Sequence, residues 1–373
     1  MIPFVDMQSQ FARIEASVRA NLDKVLKHQK FIMGPEVAEL ETQLAERAEV
    51  GHAIGVSSGT DALLMPLMAA EIGPGDAVFV PAFTFTATAE VVLVAGATPV
   101  FVDVDADTFN MDPDALRAAV ERVVGRTDLT PRCVMAVDLF GLPADYAQLT
   151  EVCAHFGMML LADAAQSFGG RSGNSPVGSL APVTATSFFP AKPLGAYGDG
   201  GAVFTDDDEL AEILRSLRAH GKGGAKYDIV RVGLNARLDT MQAAILLAKL
   251  EVFDDELAAR ERLARTYDEA LSGLVETPQR PAGLQSAWAQ YTIKVADRDG
   301  VAERLKAAGI PTAVYYPRPM HEQSCYAEYA SEDELFPNAS ALCKSVLSLP
   351  MHPYMDDVVA TSVCEAVHAA VAT

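Results

Sequence analysis

From residue 50 to about residue 205, short apolar runs alternate with stretches in which apolar residues recur at helical spacing. The runs predict strands at 53–56, 77–80, 99–104, 133–139, 158–162, 184–189 and 201–205, with helices between most of them. One helix is well marked: Asp112 stands as N-cap and Pro113 at the first helical position, with Leu116, Ala119 and Val120 following. Another runs from about Pro143 to His155, and a third is opened by the segment 56–63, with apolar residues at Leu63, Leu64, Leu67 and Met68. Strands alternating with helices imply an α/β fold with a mostly parallel sheet covered on both faces.

Outside this block the periods change. Two amphipathic helices are expected at 8–27 and 36–47. Met241, Ala244, Ile245, Ala248 and Val252 predict one long helix over 238–263, which links the large domain to a smaller one. The latter is expected to hold a strand at 289–295, a helix at 301–308, a strand at 312–316 and a final helix from 357 onward. We place the division at 1–250 and 251–373. No internal repeat or low-complexity linker interrupts the pattern.

Composition narrows the partners. The 373 residues are 50% hydrophobic and carry a net charge of −21, which argues against nucleic acid or an anionic membrane. Basic residues do gather locally at Arg218, Lys222, Lys226, Arg231 and Arg237, the stretch where an anionic small substrate would find cations. Five cysteines, Cys133, Cys153, Cys325, Cys343 and Cys364, show no metal-ligand spacing and read as thiols in a reducing compartment, with no metal site. The N-terminus lacks the basic-then-apolar order of a signal peptide, and no apolar run approaches the length of a membrane span. A cytoplasmic protein is expected.

Candidate chemistry sits at the strand ends. The 158–162 run leads into Asp163, and ligands of such sheets gather beyond the carboxyl ends of the strands. Downstream, Lys192 lies in Ser187-Phe188-Phe189-Pro190-Ala191-Lys192-Pro193-Leu194-Gly195, a setting poor for helix or strand and suited to holding an amine at a fixed point. This pair is what a pyridoxal 5′-phosphate (PLP) enzyme needs: a lysine for the Schiff base and a carboxylate that keeps the pyridine nitrogen protonated. A phosphate site is visible in Val56-Ser57-Ser58-Gly59-Thr60-Asp61-Ala62-Leu63, where a strand gives way to a helix N-terminus. There Gly59 lets the backbone approach, and Ser58 and Thr60 add hydroxyl donors. Phe85, in Pro81-Ala82-Phe83-Thr84-Phe85-Thr86-Ala87-Thr88, is placed to lie on a planar cofactor. Singly, these residues read as a surface lysine, a cap, an N-cap and a core aromatic; together they favour a cofactor site.

The chain resembles the DegT/DnrJ/EryC1/StrS family of nucleotide-sugar aminotransferases over essentially its whole length. The resemblance rests on the segments just quoted and on four others: Phe31-Ile32-Met33-Gly34-Pro35-Glu36-Val37, Asp163-Ala164-Ala165-Gln166-Ser167, Gly233-Leu234-Asn235-Ala236-Arg237-Leu238-Asp239 and Ser348-Leu349-Pro350-Met351-His352-Pro353. It implies a fold type I aminotransferase with a mostly parallel mixed sheet and a smaller α/β C-terminal domain. It further implies that Lys192 forms the Schiff base and shuttles protons, that Asp163 pairs with the pyridine nitrogen, and that Gln166 lies near the ring hydroxyl. Phe85 would stack on the ring. Ser58, Gly59, Thr60 and Ser187 would cradle the phosphate, and Asn235 would reach it from the neighbouring subunit of a homodimer. Met33, Arg237, Tyr315, Tyr316 and His321 are the expected substrate contacts, Arg237 facing an anionic group.

Within the family the chain is most similar to enzymes that aminate UDP-2-acetamido-2-deoxy-3-oxo-glucuronate for surface polysaccharides, with L-glutamate as donor. In Thr312-Ala313-Val314-Tyr315-Tyr316-Pro317-Arg318, Tyr315 stands where such enzymes usually show histidine. That departure keeps open another UDP-, dTDP- or GDP-linked keto sugar. A nicotinamide-dependent dehydrogenase is disfavoured, because Gly195, Gly198 and Gly200 lack the G-x-G-x-x-G spacing and a following helix. A PLP-binding regulator without catalysis is the remaining rival from another class.

Overall fold

The computed structural model describes residues 2–125, 128–225, 227–330 and 335–372; Lys226 of the basic stretch lies outside them. In chain order the chain forms α1 (Met7–His28), α2 (Pro35–Ala48), β1 (His52–Val56), α3 (Gly59–Ala69), β2 (Asp76–Pro81), α4 (Ala87–Val94) and β3 (Thr98–Val102). There follow α5 (Pro113–Val124), β4 (Thr130–Val137), α6 (Tyr146–Phe156), β5 (Met159–Asp163), β6 (Arg171–Ser172), β7 (Ser175–Pro176), β8 (Val183–Ser187) and β9 (Gly201–Thr205). The rest is α7 (Asp208–Leu217), α8 (Thr240–Leu250), α9 (Phe253–Leu271), β10 (Leu284–Gln285), β11 (Tyr291–Lys294), α10 (Arg298–Ala307), α11 (Pro337–Ser345), β12 (Val346–Leu349) and α12 (Asp357–Val371).

The main sheet has seven strands in the order β1-β9-β8-β5-β4-β2-β3. From β8 to β3 the pairs are parallel, and only β9 runs antiparallel to its neighbours β8 and β1. Alternate residues of each strand face opposite sides. Val78 and Val80 of β2 with Met135 of β4 pack beneath α3, α4 and α7, whereas Ala77, Phe79, Val134 and Ala136 pack against α5 and α6. Both faces are therefore apolar, the condition for a covered parallel sheet. A third core joins α2 and α8 to β1 and β9 through Leu40, Leu44, Phe204 and Leu246. A separate core around the antiparallel β11–β12 pair gathers Tyr267, Tyr291, Leu305, Leu347 and Val363.

The fold departs from the sequence expectations at three places. The helix expected over 238–263 is two helices, broken at Glu251 and Val252, where Val252 adopts φ −116° and ψ 0°. Residues 312–316 form no strand; Ala313 alone bridges to Ser348. The strand expected at 133–139 ends at Val137, because Leu139–Gly141 turn into a 3₁₀ helix. By contrast, Asp112 caps α5 as expected, accepting from the amides of Asp114 at 2.8 Å and Ala115 at 3.1 Å.

Candidate active site

The parallel strands converge on one cavity at their carboxyl ends. β5 terminates at Asp163, a residue only 6% exposed. Its Oδ2 accepts from Thr88 Oγ1 at 2.9 Å and its Oδ1 from the amide of Ala165 at 3.2 Å. Thr88 lies in the first turn of α4, and its hydroxyl meets that of Thr84 at 3.1 Å. Across the cavity, Lys192 follows β8 in a tight coil closed by Lys192 N donating to Phe189 O at 2.9 Å and Ala196 N to Phe188 O at 2.7 Å. Gly195 permits that coil, since a Cβ there would lie 2.5 Å from Pro190 O. The coil is tied to α8 by Tyr197 N donating to Gln242 Oε1 at 2.9 Å, and the Lys249 amine sits 4.4 Å from the Tyr197 ring centre.

The third wall is the N-terminus of α3. Ser58 caps it by accepting from Asp61 N at 3.0 Å, and the first-turn amides have no intrahelical acceptor. A Cβ on Gly59 would stand 2.6 Å from Ser187 Cβ, so only glycine lets this helix end meet the end of β8. Gly59→Ala is therefore expected to push α3 and β8 apart, lowering stability by about 1–3 kcal/mol. Thermal unfolding and a fluorescence titration with PLP check this, cofactor affinity falling in parallel.

These walls enclose a cavity of ≈ 420 Å³. Ser58, Gly59, Thr60, Ser187, Asp163, Gln166 and Lys192 all line it, with Phe85 at its mouth, 54% exposed. Gln166 is held by accepting at Oε1 from Phe140 N at 2.9 Å, and its Nε2 makes a long 3.5 Å contact with Tyr316 Oη. The C-terminal segment adds Gln290, Tyr315 and Tyr316. Burial raises the Asp163 carboxyl above its usual range, against the Thr88 and Ala165 hydrogen bonds and the nearby Lys192 amine. The same desolvation lowers Lys192, against the pull of Asp163. A lysine biased toward the neutral amine is biased toward the nucleophilic form.

Other expected contacts lie elsewhere in this chain. Met33 is exposed with φ 51°, Asn235 is exposed and bridged to Ala219, and neither lines the cavity. Arg237 pairs through its backbone with Val56, just ahead of the α3 cradle, and its Nε is buried without a hydrogen-bond partner. His321 packs on Phe336 with the rings tilted by 35° and their centres 4.4 Å apart, away from the cavity lining. Arg218 does not belong to an anion site: it is buried, paired with Glu41 and donating to Gly55 O at 2.9 Å. Thr88, Asp138 and Gln290 were not singled out from the sequence. Thr88 stood inside a quoted motif, spaced one helical turn from Thr84, and that spacing is the signal that could have found it.

The donor set fits PLP. A helix N-terminus with hydroxyls suits its phosphate, a buried carboxylate its ring nitrogen, a desolvated amine its aldehyde and an exposed phenyl its ring face. Among the described residues, no group of three or more His, Cys, Asp and Glu is placed to hold a metal, and no helix is long and apolar enough to cross a membrane.

Residues 12–368 match the DegT/DnrJ/EryC1/StrS aminotransferase family. The chain is 44% identical to a UDP-2-acetamido-2-deoxy-3-oxo-D-glucuronate aminotransferase from Pseudomonas aeruginosa, over 98% of this chain and 99% of that protein. It is 42% identical to a UDP-N-acetyl-3-dehydro-alpha-D-glucosamine 3-aminotransferase from Acidithiobacillus ferrooxidans, over 94% of this chain and 93% of the other. Its structure superposes on that of a DegT DnrJ EryC1 StrS aminotransferase from Brucella abortus with a TM-score of 0.97, at 49% identity and 99% coverage of both chains. With Lys192, Asp163 and the α3 cradle around one cavity, and the match running through nearly the whole length, the chain belongs to the DegT/DnrJ/EryC1/StrS aminotransferase family, whose members use PLP.

Proposed function

We propose that this enzyme moves an amino group from L-glutamate to C3 of UDP-2-acetamido-2-deoxy-3-oxo-glucuronate. The observation that carries the reading is the cavity in which Lys192 faces Asp163 beside a helix N-terminus. The substrate follows the names of the Pseudomonas and Acidithiobacillus relatives, both of which act on UDP-linked 3-keto sugars. Residues 1–250 would carry the cofactor site and 251–373 would close over it with Tyr315, Tyr316 and Gln290.

When bound, PLP supplies an electron sink that makes the donor's α-proton acidic. Lys192 Nζ removes that proton and later delivers one to the sugar carbon. Asp163 holds the proton on the ring nitrogen, Phe85 and Gln166 orient the ring, and Ser58, Gly59, Thr60 and Ser187 hold the phosphate. Tyr315 and Tyr316 wall the sugar space, with Met33, Arg237 and His321 as outer contacts. Asn235 reaches the phosphate of the neighbouring subunit in a homodimer. Its exposed position supports this, as does the surface apolar set Phe31, Ile32, Met33, Ile229, Val230 and Val232, which a second copy would cover. The five unpaired thiols suit a cytoplasmic setting.

The test is spectroscopic. The purified protein with PLP should show the absorbance band of the lysine-bound cofactor, L-glutamate should remove it, and the keto sugar should restore it. Initial rates should follow ping-pong kinetics. A band that ignores L-glutamate would sink the donor assignment.

A further inference from the structure

A second carboxylate lies directly behind Asp163. Asp138 ends the β4 extension, fully buried, with Val137 in register with Asp163 on the adjacent strand. Its backbone N donates to Asp163 O at 3.1 Å. Its Oδ2 accepts from Ser167 Oγ at 2.6 Å, and its Oδ1 from Ala144 N at 2.8 Å and Tyr146 Oη at 2.7 Å. Ser167 is also fully buried and closes the turn that bears Asp163 and Gln166, donating its own N to Ala164 O at 3.2 Å. Two residues beyond Asp138, Phe140 N holds Gln166 Oε1 at 2.9 Å. The segment 138–140 is thus laced to the turn 163–167 at three points.

We infer that Asp138 is a positioning residue for the cofactor, fixing the turn that carries Asp163 and Gln166 and adding its charge to that of Asp163 behind the ring nitrogen. Hydrogen bonding alone does not require a carboxylate here. Among the described residues every donor to it is neutral and no cation is paired with it, and a buried charge of that kind is unfavourable unless it does something else. The titratable groups facing it are Tyr146 from α6 and Asp163 from β5, neither of them cationic. Burial lifts the Asp138 carboxyl to about 6, and the Asp163 charge beside it pushes in the same direction. A second negative charge behind Asp163 would stabilise positive charge at the ring nitrogen, which favours its protonated form.

The inference rests on Asp163 and Lys192 holding PLP. The experiment compares the PLP-loaded wild type with Asp138→Asn and Ser167→Ala, following the pH midpoint of the lysine-bound absorbance band, the PLP dissociation constant and the kcat and KM for L-glutamate. Asp138→Asn keeps the shape and removes the charge. Its band midpoint should fall by about half a pH unit or more, with kcat down about tenfold or more and KM little changed. Ser167→Ala keeps the charge and removes the tie, so kcat and PLP affinity should fall while the midpoint stays. An unshifted midpoint and unchanged kcat in Asp138→Asn overturn the inference. If that variant does not fold, a Ser167→Ala protein with wild-type kcat and PLP affinity overturns it. A wild type that forms no band would instead sink the cofactor assignment itself.

Discussion

Turnover is expected to fall by about 10⁴-fold or more when Lys192 is replaced by alanine, while the protein still folds. Lys192 is the one amine lining the cavity among the described residues, so nothing else there takes the α-proton of the donor. The substitution removes the nucleophile and the proton carrier together. The coil around it should persist, because it is closed by backbone hydrogen bonds and by the Gln242 tie to Tyr197, none of which use the lysine side chain. PLP should still bind through the α3 cradle but without the absorbance band of the lysine-bound form. Activity within tenfold of wild type, as an order-of-magnitude margin, would remove Lys192 from the mechanism.

Asp163→Asn is expected to lower kcat by about 10²–10⁴-fold, with the opposite sign on stability. An asparagine still fits between Thr88 and Ala165 but carries no charge to hold a proton on the ring nitrogen. In the cofactor-free protein, burial raises this carboxyl above 3.8. The folded chain therefore binds its proton more tightly than the unfolded chain does. That contribution to stability is fully present below the unfolded pKa of 3.8 and is lost as pH rises through the folded value. At neutral pH the Asp163 charge weighs against folding. The cofactor-free variant should melt at or above the wild-type temperature there, with any gain shrinking toward acid. A marked drop in its melting temperature at neutral pH would show that Asp163 serves the fold, and a wild-type kcat would free it from catalysis. Loss of function without loss of stability is the signature expected of a charge kept for chemistry.

Most strands of the main sheet were legible because they are short apolar runs bounded by turn residues, and both faces are covered; β8, with Thr184, Thr186 and Ser187, is the least apolar of them. Asp163 was legible for the same reason: a polar residue ending such a run stands out. The break at Val252 was not. α8 is buried almost all round, from Ala243 through Leu250, so its apolar residues carry no phase that would reveal where α9 begins. Residues 312–316 looked like a strand because Val314, Tyr315 and Tyr316 are strand formers, but tertiary context uses two of them as a cavity wall. Asp138 was hidden inside an expected strand, and its partners, Tyr146 and Ser167, lie 8 and 29 residues away. Contacts of that range leave no periodic trace in a single sequence. Asn235 and Met33 were legible only through resemblance, since nothing local to either residue connects it to the cavity.

The most direct test of the amino-transfer assignment follows the atom itself. PLP-loaded protein would be incubated with ¹⁵N-labelled L-glutamate and UDP-2-acetamido-2-deoxy-3-oxo-glucuronate, and the products read by mass spectrometry. A labelled amine is expected on the sugar in amounts equal to the 2-oxoglutarate released, and neither product from the Lys192→Ala variant. A sugar that stays unlabelled while the protein holds PLP would contradict the assignment.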